Sequence, residues 1–128
     1  MRLLLDTHAF LWWLAGDSRL TKLARSQIEA AGSDTFISAA SAWEIATKYR
    51  LGKLPQAALV ALDVASGIES QEFTPLPVSV LHGQAAGALP GPHRDPFDRM
   101  LVAQAMLEEL VLVSNERLFD AYGVNRLW

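Results

Sequence analysis

The acidic side chains of this sequence that could share chemistry lie far apart along it: Asp6, Glu44, Asp95, Asp98 and Glu116. Each stands at a strand end or a helix start. Carboxylates brought from separate elements to one corner repel each other strongly at low effective dielectric, unless some stay protonated or a cation sits between them. The cation is the simpler solution. There is no cysteine, and His8, His82 and His93 are scattered over a strand end, a helix and a loop. The available ligands are therefore oxygens, which suit a hard ion such as Mg²⁺ or Mn²⁺ rather than zinc. Mg²⁺ usually takes one or two carboxylates and keeps waters, and it favours phosphate oxygens as further ligands. Such a site suggests phosphodiester hydrolysis.

Each acid also has a purely structural reading. Ser41-Ala42-Trp43-Glu44 has the form of a capping box, and Glu44 stands four residues before Lys48, a favourable ion-pair spacing. Asp95-Pro96 reads as an N-cap followed by proline at the first helical position. Capping explains Asp98 less well. Leu101, Val102 and Ala105 lie three, four and seven residues further on, so Asp98 belongs to the apolar stripe that should face a sheet. Asp6 is the hardest to dismiss, because it ends the run Leu3-Leu4-Leu5, where Ser or Asn would cap as well.

The elements that must position these residues alternate short apolar runs with longer helical patterns, the mark of an α/β fold with a parallel sheet. Strands are expected at Arg2–Leu5, Thr35–Ile37, Phe73–Leu76, Leu110–Val113 and Val124–Leu127. Helices are expected at His8–Ala15, Thr21–Ala31, Ser38–Arg50, Pro55–Ser66 with Gly67 as its stop, Val78–Leu89 and Pro96–Glu109. Glu116–Tyr122 reads as a helical turn, and Pro90-Gly91-Pro92-His93-Arg94 as a loop. In open parallel sheets ligands bind outside the carboxyl ends of the strands, where strand order reverses. Asp6 and Ser114-Asn115-Glu116 follow strands at that edge.

With 128 residues, 51% of them hydrophobic and 20% charged, the chain reads as one domain over residues 1–128 that needs no staple to hold a core. The apolar stretch Ala9–Ala15 is too short to cross a bilayer, and Asp6 and His8 interrupt any signal-peptide core, so a cytoplasmic protein is expected. A net charge of −3 excludes an overall basic footprint, leaving any nucleic-acid contact local. Arg94 and Arg99 flank the acids and could hold phosphates as forks, while Lys48, Arg50 and Lys53 read as a solvated basic face. Phe10, Trp12, Trp13 and Trp43 suit a core or a dimer surface better than base stacking. The stretches Phe10–Leu14 and Val78–Leu89 offer apolar surface for a homodimer.

Leu4-Leu5-Asp6-Thr7-His8, Ser41-Ala42-Trp43-Glu44-Ile45, His93-Arg94-Asp95-Pro96-Phe97-Asp98-Arg99 and Leu112-Val113-Ser114 with Leu118–Val124 together resemble the PIN-domain family and, within it, the VapC toxins of bacterial type II toxin-antitoxin pairs. The likeness covers nearly the whole chain in order. It implies a three-layer α/β/α sandwich with a small, mainly parallel central sheet. It further implies a Mg²⁺- or Mn²⁺-dependent endoribonuclease, usually dimeric and neutralised by a cognate VapB-type antitoxin. By position, Asp6 and Asp98 would bind the metal, Glu44 would complete the acidic cluster, and Thr7 and Ser114 would support it through their hydroxyls. Family members commonly carry Asp two residues after the Ser or Thr that ends the fourth strand, where this chain has Glu116. Glu116, Asn115 or Asp95 could supply that fourth position.

Two rivals stand beside this reading. A phosphatase of the haloacid dehalogenase type needs a second Asp two residues after the first, and that position holds His8. A catalytically silent domain of the same fold, acting as a protein-binding module, is the other.

Overall fold

The computed structural model describes residues 1–91 and 93–128. Pro92, within the expected 90–94 loop, lies outside the described residues. Five parallel strands form one sheet: β1 (Arg2–Leu5), β2 (Asp34–Ser38), β3 (Thr74–Leu76), β4 (Val111–Val113) and β5 (Arg126–Leu127), in the spatial order β3-β2-β1-β4-β5. Leu5 is in register with Ile37 on one side and Val113 on the other, and Val113 with Leu127. Strand order reverses between β1 and β4, so the binding crevice of such a sheet falls between the residues that follow those two strands. They are Asp6 and Ser114.

β1 is central because its leucines tolerate burial on both faces. Leu3, Leu4 and Leu5 are all 0% exposed, each contributing roughly 1.5–3 kcal/mol by leaving water. Their pleat sends them to opposite sides. Leu3 and Leu5 join Ile37 and Val113 under α1 (Thr7–Ala15), α2 (Lys22–Glu29), α3 (Ala39–Arg50) and α4 (Val64–Ser70). Leu4 joins Leu112 against Leu101, Val102 and Ala105 of α6 (Pro96–Leu107), and α5 (Val80–Ala88) packs on α6. The result is the expected α/β/α sandwich, with every strand pairing parallel. No helix among the described residues is long and apolar enough to cross a membrane.

Three expectations are corrected. The 55–66 segment is no continuous helix. Pro55–Ala57 forms a single 3₁₀ turn, and Asp63 restarts the chain as the N-cap of α4, accepting from Ser66 N at 3.1 Å and Ser66 Oγ at 2.7 Å. An Asp that bonds nearby backbone favours such a break over helix continuation. Gly67, read as a stop, lies inside α4. The Ser41–Glu44 capping box is absent, because α3 begins earlier, capped by Ser38, whose Oγ accepts from Ala40 N at 3.0 Å. The stretch Phe10–Leu14 is no free dimer surface either, since Phe10, Leu11 and Trp12 are buried in the core.

Gly67 gives a test of the packing. Alanine would ordinarily gain roughly 0.5–1 kcal/mol over glycine inside a helix. Here a Cβ would stand 2.5 Å from Val60 Cγ2, close to the Phe10 ring. Gly67→Ala is therefore expected to lower stability, by about 1–3 kcal/mol, in urea unfolding. A gain in stability would show that Val60 moves aside freely.

Candidate active site

At the carboxyl edge of the sheet, Asp6, Thr7, His8, Glu44, Lys48, Asp95, Asp98, Asn115 and Glu116 line one cleft of about 130 Å³. These residues come from the starts of α1 and α6, the buried side of α3, and the turn after β4. A larger groove, of about 470 Å³, lies beside it between α3, α5 and α6, with mostly apolar walls that include Trp43 and Phe97. Its lining offers little to do chemistry with. The smaller cleft has the reactive groups.

Asp6 ends β1 and is 7% exposed. Its Oδ1 accepts from Ala9 N at 2.8 Å, capping α1, and its Oδ2 accepts from Ser114 Oγ at 2.5 Å. Ser114 Oγ in turn accepts from Glu116 N at 2.9 Å, tying the turn after β4 to the end of β1. Thr7 Oγ1 donates to Glu44 Oε1 at 2.5 Å, with Ser41 Oγ 3.1 Å from the same hydroxyl. Glu44 Oε2 meets Lys48 Nζ at 2.5 Å. Asp95 caps α6, its Oδ1 accepting from the backbone N–H groups of Phe97 and Asp98. Asp98 Oδ2 lies 2.8 Å from His93 Nε2, and the His93 ring leans on Phe119. Glu116 caps the 3₁₀ turn Arg117–Tyr122, its Oε1 accepting from Leu118 N at 3.0 Å.

Burial pushes the Asp6 carboxyl up to about 6, with Glu44 and Glu116 adding repulsion, against the Ser114 and Ala9 hydrogen bonds that favour its charged form. Asp98 is also pushed up to about 6, by burial first, then by Asp95, Asp6 and Glu44, with His93 acting the other way. Partial burial works against the charge on Lys48, but the Glu44 carboxylate, with Asp95 and Asp98 behind it, outweighs this and raises its pKa. The charge of Asp6 thus bears on Asp98, and both hold a proton more tightly than a free carboxyl. A divalent cation would relieve the same repulsion. Among the described residues no three His, Asp or Glu side chains stand grouped to enclose an ion. A hard ion that takes two carboxylates and keeps its waters does not require three.

The structure thus brings Asp6, Thr7, Glu44, Asp98 and Glu116 together around the cleft, with Ser114 directly behind Asp6. It separates the two arginines. Arg94 is exposed outside the lining, and Arg99 donates to the carbonyls of Ala86, Leu89 and His93, which fastens the end of α5 and the loop before α6. The guanidinium of Arg99 is thereby engaged with backbone rather than open to a phosphate. Lys48, expected on a solvated face, lines the cleft instead, paired with Glu44 one helical turn before it. The His93–Asp98 contact spans a proline-bounded turn and has no periodic signal in the sequence.

The PIN domain family model matches residues 3–125. A search of curated proteins finds no match. Among solved structures, the chain is similar to VapBC2 from Rickettsia felis bound to a DNA fragment from its promoter, with a TM-score of 0.71 and 15% identity, covering 99% of this chain and 98% of that one. It is similar to FitAcB from Neisseria gonorrhoeae, with a TM-score of 0.57 and 19% identity over 100% of this chain and 97% of that one. A toxin-antitoxin complex from Klebsiella pneumoniae gives a TM-score of 0.54 and 17% identity over 89% and 86%. At such identities these likenesses speak for the fold, whereas the family model spans nearly the whole sequence, cleft residues included: the chain belongs to the PIN domain family.

Proposed function

We propose that this chain is a Mg²⁺- or Mn²⁺-dependent endoribonuclease, the VapC-type toxin of a type II toxin-antitoxin pair. The observation that carries the reading is the meeting of Asp6 and Asp98, 92 positions apart in sequence, at one small cleft where burial and neighbouring acids raise both carboxyls. Bound between them, the ion would supply Lewis acidity and offset charge on the leaving oxygen of a phosphodiester. The chain's own residues hold the arrangement. Ser114 and the start of α1 fix Asp6, Thr7 fixes Glu44, and His93 fixes Asp98. Glu44 and Lys48 stand ready to orient water or a phosphate oxygen. Glu116, with one carboxylate oxygen engaged in capping, would take the fourth acidic position through its other oxygen.

The neighbours named as VapBC2 and as a toxin-antitoxin complex support a VapB-type antitoxin as partner. A homodimer would use the face around α5, where Val80 and Leu81 are 87% and 68% exposed, rather than the buried Phe10–Leu14 stretch. Purified chain, free of any antitoxin, is expected to cleave structured RNA with Mg²⁺ or Mn²⁺ and to stop in excess EDTA. Cleavage that persists undiminished in EDTA would overturn the metal-dependent reading. Absence of both cleavage and growth arrest on expression would leave the silent binding module in its place.

A further inference from the structure

A second polar pocket, of about 430 Å³ and lined by Asn115, Arg117, Arg126 and Trp128, adjoins the acidic cleft through Asn115. The sheet dictates this neighbourhood. Leu5, Val113 and Leu127 are in register across β1, β4 and β5, so the residues that follow them, Asp6, Ser114 and Trp128, stand in a row along the carboxyl edge. At about 4.8 Å per strand, the Trp128 backbone is roughly 10 Å from that of Asp6. Trp128 is half-buried, its ring 5.7 Å from that of Trp12, which lies 5.7 Å from the ring of His8 in the cleft wall. Arg126 is held in place, its Nε and Nη2 on the Asp120 carboxylate at 2.8 and 3.0 Å and its Nη1 on the Ser114 carbonyl at 3.0 Å. Arg117 is exposed, its charge helps to hold the Asp120 carboxyl low, and among the described residues its guanidinium makes no hydrogen bond or ion pair.

A polyanion meeting a cleft lined by five acids needs a cation and a stacking surface close by, because the chain as a whole is acidic. We propose that this pocket receives the nucleotide flanking the scissile bond in a single-stranded stretch of the structured RNA, with its phosphate on Arg117 and its base against Trp128. Arg126 is a positioning residue: it clamps the Arg117–Tyr122 turn to the end of β4 and so sets the distance from pocket to cleft. The inference rests on the nuclease reading above and names where its substrate lies.

The test measures binding of a labelled single-stranded oligouridylate over a series of salt concentrations, in an Asp98→Asn background where cleavage does not interfere. Arg117→Gln is expected to weaken binding and to lower the slope of log affinity against log salt by about one. Trp128→Leu is expected to weaken binding roughly tenfold or more, while Trp128→Phe keeps most of it. Thermal melts establish that each variant is folded. If Trp128→Leu fails that check, the exposed Arg117 and the conservative Trp128→Phe decide alone. Unchanged affinity and salt slope in Arg117→Gln, alongside metal-dependent cleavage by the unmodified chain, would overturn this inference and leave the nuclease reading intact. An unmodified chain that neither binds nor cleaves RNA would overturn both.

Discussion

Asp98→Asn is expected to lower RNA cleavage roughly a hundredfold or more, since even residues one layer out from a metal commonly cost 10- to 100-fold. In the metal-free protein at pH 7 the same change is expected to raise stability. The carboxyl sits at about 6 because burial and the charges of Asp95, Asp6 and Glu44 disfavour its ionised form. A shift of about two pKa units corresponds to roughly 2–3 kcal/mol at most, a gain of several degrees in melting temperature. Asparagine keeps the size and can still accept from His93. A carboxylate that served only the helix dipole at the start of α6 would behave oppositely, its loss weakening the fold. Activity and stability moving in opposite directions is thus the signature of an acid placed for chemistry, and paired turnover and melting measurements on the variant read it out.

Without metal, stability is expected to fall as pH rises from about 4 to about 6 and to level off above that. Over this window Asp6 and Asp98 are already losing protons in the unfolded chain but keep them in the folded one. The folded state binds more protons, so raising the pH favours unfolding. For the buried Asp6 the change is on the order of 2–3 kcal/mol. Asp17, Asp63 and Asp120 act in the opposite sense at lower pH, because Arg19, Ser66 and Arg126 hold their carboxyls below the usual range. Their support is lost as pH drops through those lowered values, which puts maximum stability near pH 4. Adding Mn²⁺ at pH 7 is expected to reverse the decline, by about 2.7 kcal/mol at a hundredfold excess over its dissociation constant. Urea unfolding across pH, with and without the ion, measures both effects. A flat profile between pH 4 and 7 would show that the two acids titrate normally.

What the sequence made legible follows from how local each signal is. The leucines of β1 and the Asp95-Pro96 start of α6 announce themselves within a few residues, and both lie where expected. The bond that Ser114 Oγ donates to Asp6 crosses 108 positions, a separation over which no local pattern in the sequence speaks. The 55–66 segment failed because helical spacing cannot show that Asp63 caps a new helix or that Gly67 must admit Val60. Arg99 illustrates another limit. An arginine beside acids looks like a phosphate ligand until the fold presents it with the free carbonyls at the end of α5. Trp43, read as core or dimer surface, is 64% exposed at the rim of the apolar groove, with its ring 4.9 Å from Phe97.

The most direct test of the central claim is anomalous diffraction from a crystal of the chain soaked in Mn²⁺ near pH 7. The account predicts a single strong peak within coordinating distance of carboxylate oxygens of both Asp6 and Asp98, absent in an Asp98→Asn crystal. A peak elsewhere on the protein, or an empty cleft at saturating Mn²⁺ with both acids ordered, would contradict it.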